Sequence, residues 1–271
     1  MSAADAGPPE IFSAVAPLAE QPRNTAVLLD LDGTLAPIVE RPEDAAVPGR
    51  TRELVERIAG RYGVTAIVSG RQSLDARRIL GLEGITYVGN HGYELLAPGA
   101  DRPQPAPALA GHERDAANFL AAYGVSKLTD AGVRVEDKAA IVALHWRGAP
   151  DEAEAETAAE LAAAQAEGSS LIVHHGRKVV ELRPPVRTDK GRGVEGLLAG
   201  APFLTGAVYA GDDRTDVDAF KVLRQLAVDG RLRHALCVAI ASGEAPAEVA
   251  LAADLTVGGT DAFVHVLEAL A

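Results

Sequence analysis

The feature that most constrains this chain is a short apolar run that stops at charge. Residues 26–30 (AVLLD) lead directly into Leu31-Asp32-Gly33-Thr34. A continuously apolar segment of this length, ended by turn chemistry, reads as a strand buried on both faces. The pattern recurs in VTAIVSG (64–70) and ITYVGN (85–90), while TRELVERIA and SLDARRIL between them carry helical spacing, with Leu54, Val55 and Ile58 on one face. Strands alternating with helices imply an α/β fold, a Rossmann-like parallel sheet covered on both sides. Residues 1–23 hold several prolines and are expected to form a loose lead-in or a short docking helix.

The rhythm then breaks. Residues 98–111 (PGADRPQPAPALAG) read as a linker. Beyond it the expected order is helix, two strands, helix, two strands. The first helix carries Ala116, Phe119, Leu120 and Tyr123; VRVED and AAIVALHW come next as paired strands. EAEAETAAELAAAQAE is an alanine-rich helix, and SLIVHH with KVVELR forms a hairpin around His175-Gly176-Arg177. After RPPVRTDK the α/β pattern returns: a helix from about 189 to 199, strand GAVYAG (206–211), another helix, the apolar strand 236–240, a short strand near Leu255 and a closing helix. The expectation is a core made of residues 1–108 and 187–271, interrupted by an α+β lobe over 109–186.

Composition excludes some functions. The net charge is −12 and no run of lysine or arginine stands out, so a groove that neutralises a nucleic-acid backbone is not expected. Cys237 is the only cysteine; it can form no intrachain disulfide and reads as a buried, inert thiol. The sequence shows neither a secretory signal nor an apolar segment of about 20 residues. A cytoplasmic protein without membrane contact is expected.

Four clusters carry chemistry, each placed just past the C-terminal end of an expected strand, where open α/β sheets bind ligands. In Asp30-Leu31-Asp32-Gly33-Thr34, two carboxylates spaced i, i+2 can hold Mg²⁺ while one attacks phosphorus and the other moves protons. Gly33 permits a sharp turn, and Thr34 can cap the next segment. An ordinary acidic turn is the plainer alternative. Ser69-Gly70-Arg71 can bind a phosphoryl oxygen or simply start a helix. Lys190, at a helix start, could neutralise a nucleophile and a phosphoryl group, although a lone lysine is more often a solvated surface residue. Gly211-Asp212-Asp213-Arg214-Thr215-Asp216 supplies further cation ligands or an acidic helix cap, and Asp216 could orient Lys190.

Taken together in order, DLDGT, SGR, Lys190 and GDD resemble the haloacid dehalogenase superfamily of phosphotransferases over the whole chain. GDDRTDVDAF, NHGYEL (90–95), VEDK with ALHWR, and GRKVVELRP resemble the trehalose-6-phosphate phosphatase family. One departure is Val217, where that family commonly has an acidic residue; it is expected outside the innermost contacts.

The resemblance implies a phosphatase that converts trehalose-6-phosphate to trehalose, the last step of trehalose synthesis. Asp30 would be the nucleophile and Asp32 the acid/base. Asp30, the main-chain carbonyl of Asp32, and Asp212 would hold Mg²⁺, supported by Asp213 and Asp216. Ser69 and Lys190 would bind the phosphoryl group, with Arg71, Asn90, His91 and Gly92 close by. Glu136, Lys138 and Glu181 would hydrogen-bond the disaccharide from an inserted cap. If 134–138 is extended, Glu136 and Lys138 share a face; a solvated ion pair is the alternative. Rival functions are a phosphatase of the same superfamily acting on another sugar phosphate or a glycosyl phosphoglycerate, a phosphomutase, and a binding or regulatory protein without turnover.

Overall fold

The computed structural model describes residues 6–39, 41–169, 171–176, 178–186, 188–242 and 246–271. Arg177, expected in the lobe's hairpin turn, lies outside them. The chain divides into two compact units, Met1–Gln104 with Thr188–Ala271, and Pro105–Arg187.

The first unit opens with helix α1 (Pro8–Ala19), then β1 (Thr25–Leu29), α2 (Gly49–Arg61), β2 (Val64–Val68), α3 (Ser73–Leu80) and β3 (Thr86–Gly89). Two short strands come next, β4 (Glu94–Leu96) and β5 (Gln104–Pro105). The second unit contains α4 (Asp115–Tyr123), α5 (Val125–Asp130), β6 (Arg134–Lys138), β7 (Ile141–His145), α6 (Glu152–Gly168), β8 (Ile172–Gly176) and β9 (Val179–Arg183). The chain returns to the first unit with α7 (Lys190–Ala199), β10 (Gly206–Gly211), α8 (Arg214–Val228), β11 (His234–Ala241), α9 (Ala247–Ala252), β12 (Leu255–Gly258) and α10 (Gly259–Leu270).

Among the described residues, the first unit holds an eight-stranded sheet ordered β12-β11-β10-β1-β2-β3-β4-β5. Pairing is parallel from β12 through β3 and turns antiparallel at β3–β4. Every residue of β1 and β10 is buried, which explains why their sequences are continuously apolar rather than alternating. Val27, Leu29, Val208 and Val238 face α1, α2, α3 and α10, while Leu28, Tyr209 and Ala239 face α7, α8 and α9. Strand order reverses between β1 and β10. Such a switch point leaves a crevice at the strands' C-terminal ends, and the acidic clusters lie just past those ends.

Cys237 is buried in β11, and burial pushes its thiol up to about 12, so it stays protonated. No helix among the described residues is long and apolar enough to cross a membrane.

Among the described residues, the second unit holds a four-stranded antiparallel sheet, ordered β6-β7-β9-β8. Val142, Leu144, Val180 and Leu182 form its core with Ala155, Ala159, Ala162 and Ala166 of α6. Small side chains let that helix lie close to the sheet, and Asp151 caps it by accepting from the main-chain N–H groups of Ala153 and Glu154, each at 3.0 Å.

One local expectation narrows to its helical alternative, and two change. Residues 8–19 form an α-helix, with Pro17 inside it, whose Ile11, Val15 and Leu18 are buried at i, i+4 and i+7, and whose first turn is closed by Gly7 N–H donating to Glu10 Oε2 at 2.9 Å. The stretch 98–111 is not all linker, since it adds β5 to the sheet edge and a 3₁₀ turn at Pro107–Leu109. The lobe also contains α5, because Gly124 at φ +99° ends α4 and lets the chain start again. Since α1 belongs to the main core, Leu18→Ala should lower unfolding free energy by about 2–5 kcal/mol. A urea titration checks this; a loss below about 0.5 kcal/mol would mean the helix is a dispensable lead-in.

Candidate active site

The site is built where β1, β10 and α7 end or begin. Past β1 the chain turns back on itself: Gly33 N–H donates to Ala36 O at 2.7 Å, and Leu35 N–H to Leu31 O at 2.9 Å. Gly33 has φ +80°, and a Cβ there would lie 2.0 Å from Asp212 Oδ2. Glycine is therefore required twice over, by its backbone and by the approach of a carboxylate. Thr34 does not cap a helix, since the described residues that follow it begin no α-helix before Gly49.

Lys190, the first residue of α7, is buried between two carboxylates. Its Nζ lies 2.7 Å from Asp30 Oδ1 and 2.8 Å from Asp216 Oδ1. Asp216 is itself fully buried and accepts from four groups: Lys190 and the Tyr209 hydroxyl (2.7 Å) at Oδ1, and the N–H groups of Asp212 and Asp213 (3.0 and 2.9 Å) at Oδ2. The helix-cap reading of the acidic cluster holds here, and Asp216 also reaches Lys190. Asp213 caps α8 by accepting from Arg214 N–H at 2.7 Å, while Asp216 ties that cap to Lys190.

Asp30, Asp212 and Asp216 each offer a carboxylate oxygen within 4.8 Å of the others. Burial raises the Asp30 carboxyl well above its usual range, against the pull of Lys190 and with repulsion from Asp216 and Asp212. Burial, then Asp216, lifts Asp212 to about 7. Burial pulls the Lys190 ammonium down, but Asp216 and Asp30 outweigh it and keep it charged. Three acids thus face one ammonium. Asp212 Oδ1 is buried and has no hydrogen-bond partner among the described residues. An all-oxygen donor set with surplus negative charge and an unsatisfied carboxylate oxygen fits a hard divalent cation.

The Asp32 carboxylate is gripped on both oxygens by Arg71, whose Nε reaches Oδ2 at 2.7 Å and Nη2 reaches Oδ1 at 2.8 Å. Arg71 also donates to Pro42 O (2.9 Å) and Asp75 Oδ2 (3.2 Å). The fork geometry fixes the acid's orientation. Ser69 is buried, its Oγ accepting from Arg71 N–H at 3.1 Å. Asn90 N–H donates to Arg71 O (2.7 Å) and His91 N–H to Ser69 O (3.0 Å), locking two loops together. Asn90 and His91 both take left-handed φ, 49° and 55°. Such strain in consecutive non-glycine residues persists only where the surroundings enforce it.

The first unit thus assembles Asp30, Asp32, Ser69, Arg71, Asn90, His91, Gly92, Lys190, Asp212, Asp213 and Asp216. Glu136, Lys138 and Glu181 belong to the second unit, on the sheet face opposite its helices. There Lys138 Nζ meets Glu181 Oε1 at 3.1 Å, and Glu136 Oε2 meets His145 Nε2 at 2.8 Å. Val217 is half-buried in α8 against the apolar cluster of that face. Sequence reading passed over Tyr209, Asp75 and Glu94, which accepts from Ser73 N–H (2.6 Å) and Oγ (2.8 Å) and ties α3 to β4. Tyr209 left one trace: a hydroxyl in an otherwise aliphatic strand is expected to have a buried partner.

The family model for trehalose-phosphatase matches residues 28–254. Trehalose 6-phosphate phosphatase RA3 of Zea mays is 36% identical over 75% of this chain and 60% of its own length. Trehalose-phosphate phosphatase of Mycobacterium bovis is 38% identical over 78% of this chain and 54% of its own. The chain spans little more than half the length of these relatives. The C-terminal domain of Candida albicans trehalose-6-phosphate phosphatase superimposes with a TM-score of 0.74 at 18% identity, covering 98% of this chain and 97% of that one. That likeness is one of fold.

The raised Asp212 predicts a pH-dependent need for a cation. Its folded-state value lies above the ordinary 3.8, so the stability it contributes is present below that value and lost as pH rises to about 7. A divalent cation such as Mg²⁺ should raise the melting temperature on the order of 5 °C at about pH 8 and much less at about pH 5. Equal shifts at both pH values, read by scanning calorimetry, would remove the electrostatic account.

Proposed function

Because this chain belongs to the trehalose-phosphatase family, we propose that it hydrolyses trehalose-6-phosphate to trehalose and phosphate through an aspartyl phosphate on Asp30. The observation that carries this reading is Lys190 buried between Asp30 and Asp216 at the sheet's switch point. A nucleophile beside a fixed ammonium, within a cluster able to hold a cation, suits transfer of a dianionic phosphoryl group.

Asp30 attacks phosphorus in line as the bond to the sugar oxygen breaks, and Asp32 gives its proton to that oxygen. Asp32 then takes a proton from the water that cleaves the aspartyl phosphate, releasing phosphate and restoring Asp30. The two-point grip of Arg71 holds the Asp32 carboxyl in one orientation through both steps. Lys190 and Ser69 bind the phosphoryl oxygens, with Arg71 and the Asn90–Gly92 turn beside them. Asp30, the main-chain carbonyl of Asp32 and Asp212, with Asp213 and Asp216 in support, would hold Mg²⁺, which when bound would supply positive charge beside the phosphoryl group. Glu136, Lys138 and Glu181 hydrogen-bond the sugar hydroxyls, and their lobe acts as the cap that selects the substrate. The substrate is a small sugar phosphate, and the setting is cytoplasmic.

Phosphate release with Mg²⁺ should favour trehalose-6-phosphate over glucose-6-phosphate, sucrose-6-phosphate and a glycosyl phosphoglycerate. Activity confined to another member would keep the chemistry and discard the substrate. Asp30→Asn should cut turnover by about a thousandfold or more while the melting temperature stays in place; near-normal rates would sink the nucleophile assignment. Asp32→Asn should slow sugar-phosphate cleavage by about 10²–10⁴-fold but scarcely slow aspartyl-phosphate formation from an aryl phosphate, whose leaving group needs no proton. Equal losses on both would argue against the acid role.

A further inference from the structure

In the lobe's sheet, directly paired residues share a face. Arg134 pairs with His145, Glu136 with Ala143, Ala143 with Glu181, and Glu181 with His174. One face therefore carries Glu136, Lys138, His145, Glu181 and Arg183, with the small side chain of Ala143 between the two glutamates. The two acids are held differently. Glu181 is clamped at both oxygens, by Lys138 Nζ at Oε1 (3.1 Å) and by Arg183 Nε and Nη2 at Oε2 (3.0 and 2.6 Å).

Glu136 is held on one side only. His145 Nε2 lies 2.8 Å from Oε2, the exposed Arg134 reaches the same oxygen at 3.6 Å, and Oε1 has no hydrogen-bond partner among the described residues. The His145 bond is also the first cause that lowers the Glu136 carboxyl, ahead of burial, which acts against it, and of Lys138. Glu136 therefore stands ionised, with one oxygen anchored and the other able to accept.

We propose that His145 is a positioning residue for sugar recognition: its Nε2–H anchors Glu136 Oε2 so that Oε1 is presented to a sugar hydroxyl. The inference rests on the reading that Glu136 contacts the sugar. Fixing a glutamate before the ligand arrives removes an ordering cost from binding, worth about three- to tenfold in affinity. Both the Nε2–H tautomer and the protonated ring can donate this bond, so the anchor survives a change in the charge of His145. The lysine and arginine on Glu181 fix that acid, and through it Lys138.

The test uses the full chain with Mg²⁺, comparing trehalose-6-phosphate with 4-nitrophenyl phosphate, which carries no sugar. His145→Phe should raise KM for the sugar phosphate about three- to tenfold with kcat within about twofold, and leave kcat/KM for the aryl phosphate unchanged. His145→Gln, which keeps a donor, should recover most of the loss. In the double variant with Glu136→Gln, His145→Phe should add little beyond Glu136→Gln alone. If Glu136→Gln leaves the sugar-phosphate KM unchanged, the reading that Glu136 touches sugar fails. If Glu136→Gln raises KM but His145→Phe does not, or the two effects add in full, or both substrates suffer equally, the positioning role alone is overturned.

Discussion

One ammonium group organises the first unit. Lys190 is buried between Asp30, at the end of β1, and Asp216, in the first turn of α8. Removing one partner of such a buried set leaves uncompensated charge, a cost of about 3–5 kcal/mol, far more than a surface ion pair involves. The backbone is shaped to allow the contact. A Cβ at Gly33 would overlap Asp212, and one at Gly211 would lie 2.2 Å from Asp216 Cγ, so both chains approach the acids as bare backbone. Tyr209 and two main-chain N–H groups complete the solvation of Asp216 that water cannot supply.

Much of this was legible in the sequence because strands buried on both faces announce themselves. The runs before Asp30 and Asp212 and the helix at Lys190 sit where their apolar patterns placed them. Partnership was less legible. That Asp32 would be gripped by Arg71, and that Asp216 would accept from Tyr209 as well as Lys190, depends on which strands are neighbours, which is a property of register rather than of local pattern. The first helix was obscured by its prolines, yet Pro8 and Pro9 stand in its opening turn, where proline costs nothing. Strand β4 is only Glu94–Leu96, too short to show a period. Val217 breaks the acidic pattern of its segment without consequence for the acid cluster, since it packs into the apolar layer.

The lobe solves a different physical problem. Its helix α6 is lined with alanine, which gives little apolar area per residue but allows close approach over a long contact. The opposite sheet face keeps charged groups in mutual pairs at part-buried positions, Lys138 and Arg183 on Glu181 and His145 on Glu136. Arg183 lies two residues beyond Glu181 and so shares its face, a relation that strand periodicity alone could have exposed. The pairing of His145 with Glu136 needed the register of β6 against β7.

The place where the lobe is inserted also orders events in time. The central strand β1 hydrogen-bonds β10, and Asp30 meets Lys190 and Asp212, all of which are synthesised only after the whole of residues 105–187. A growing chain therefore carries one open edge of β1, and an acid without its ammonium, throughout translation of the lobe. The lobe's sheet is closed by neighbours in sequence, whereas the central sheet waits on distant ones, and distant pairing is slow because the loop must be closed first. The interruption delays the acid cluster: it cannot close until α7 and β10, made after the lobe, have docked beside β1.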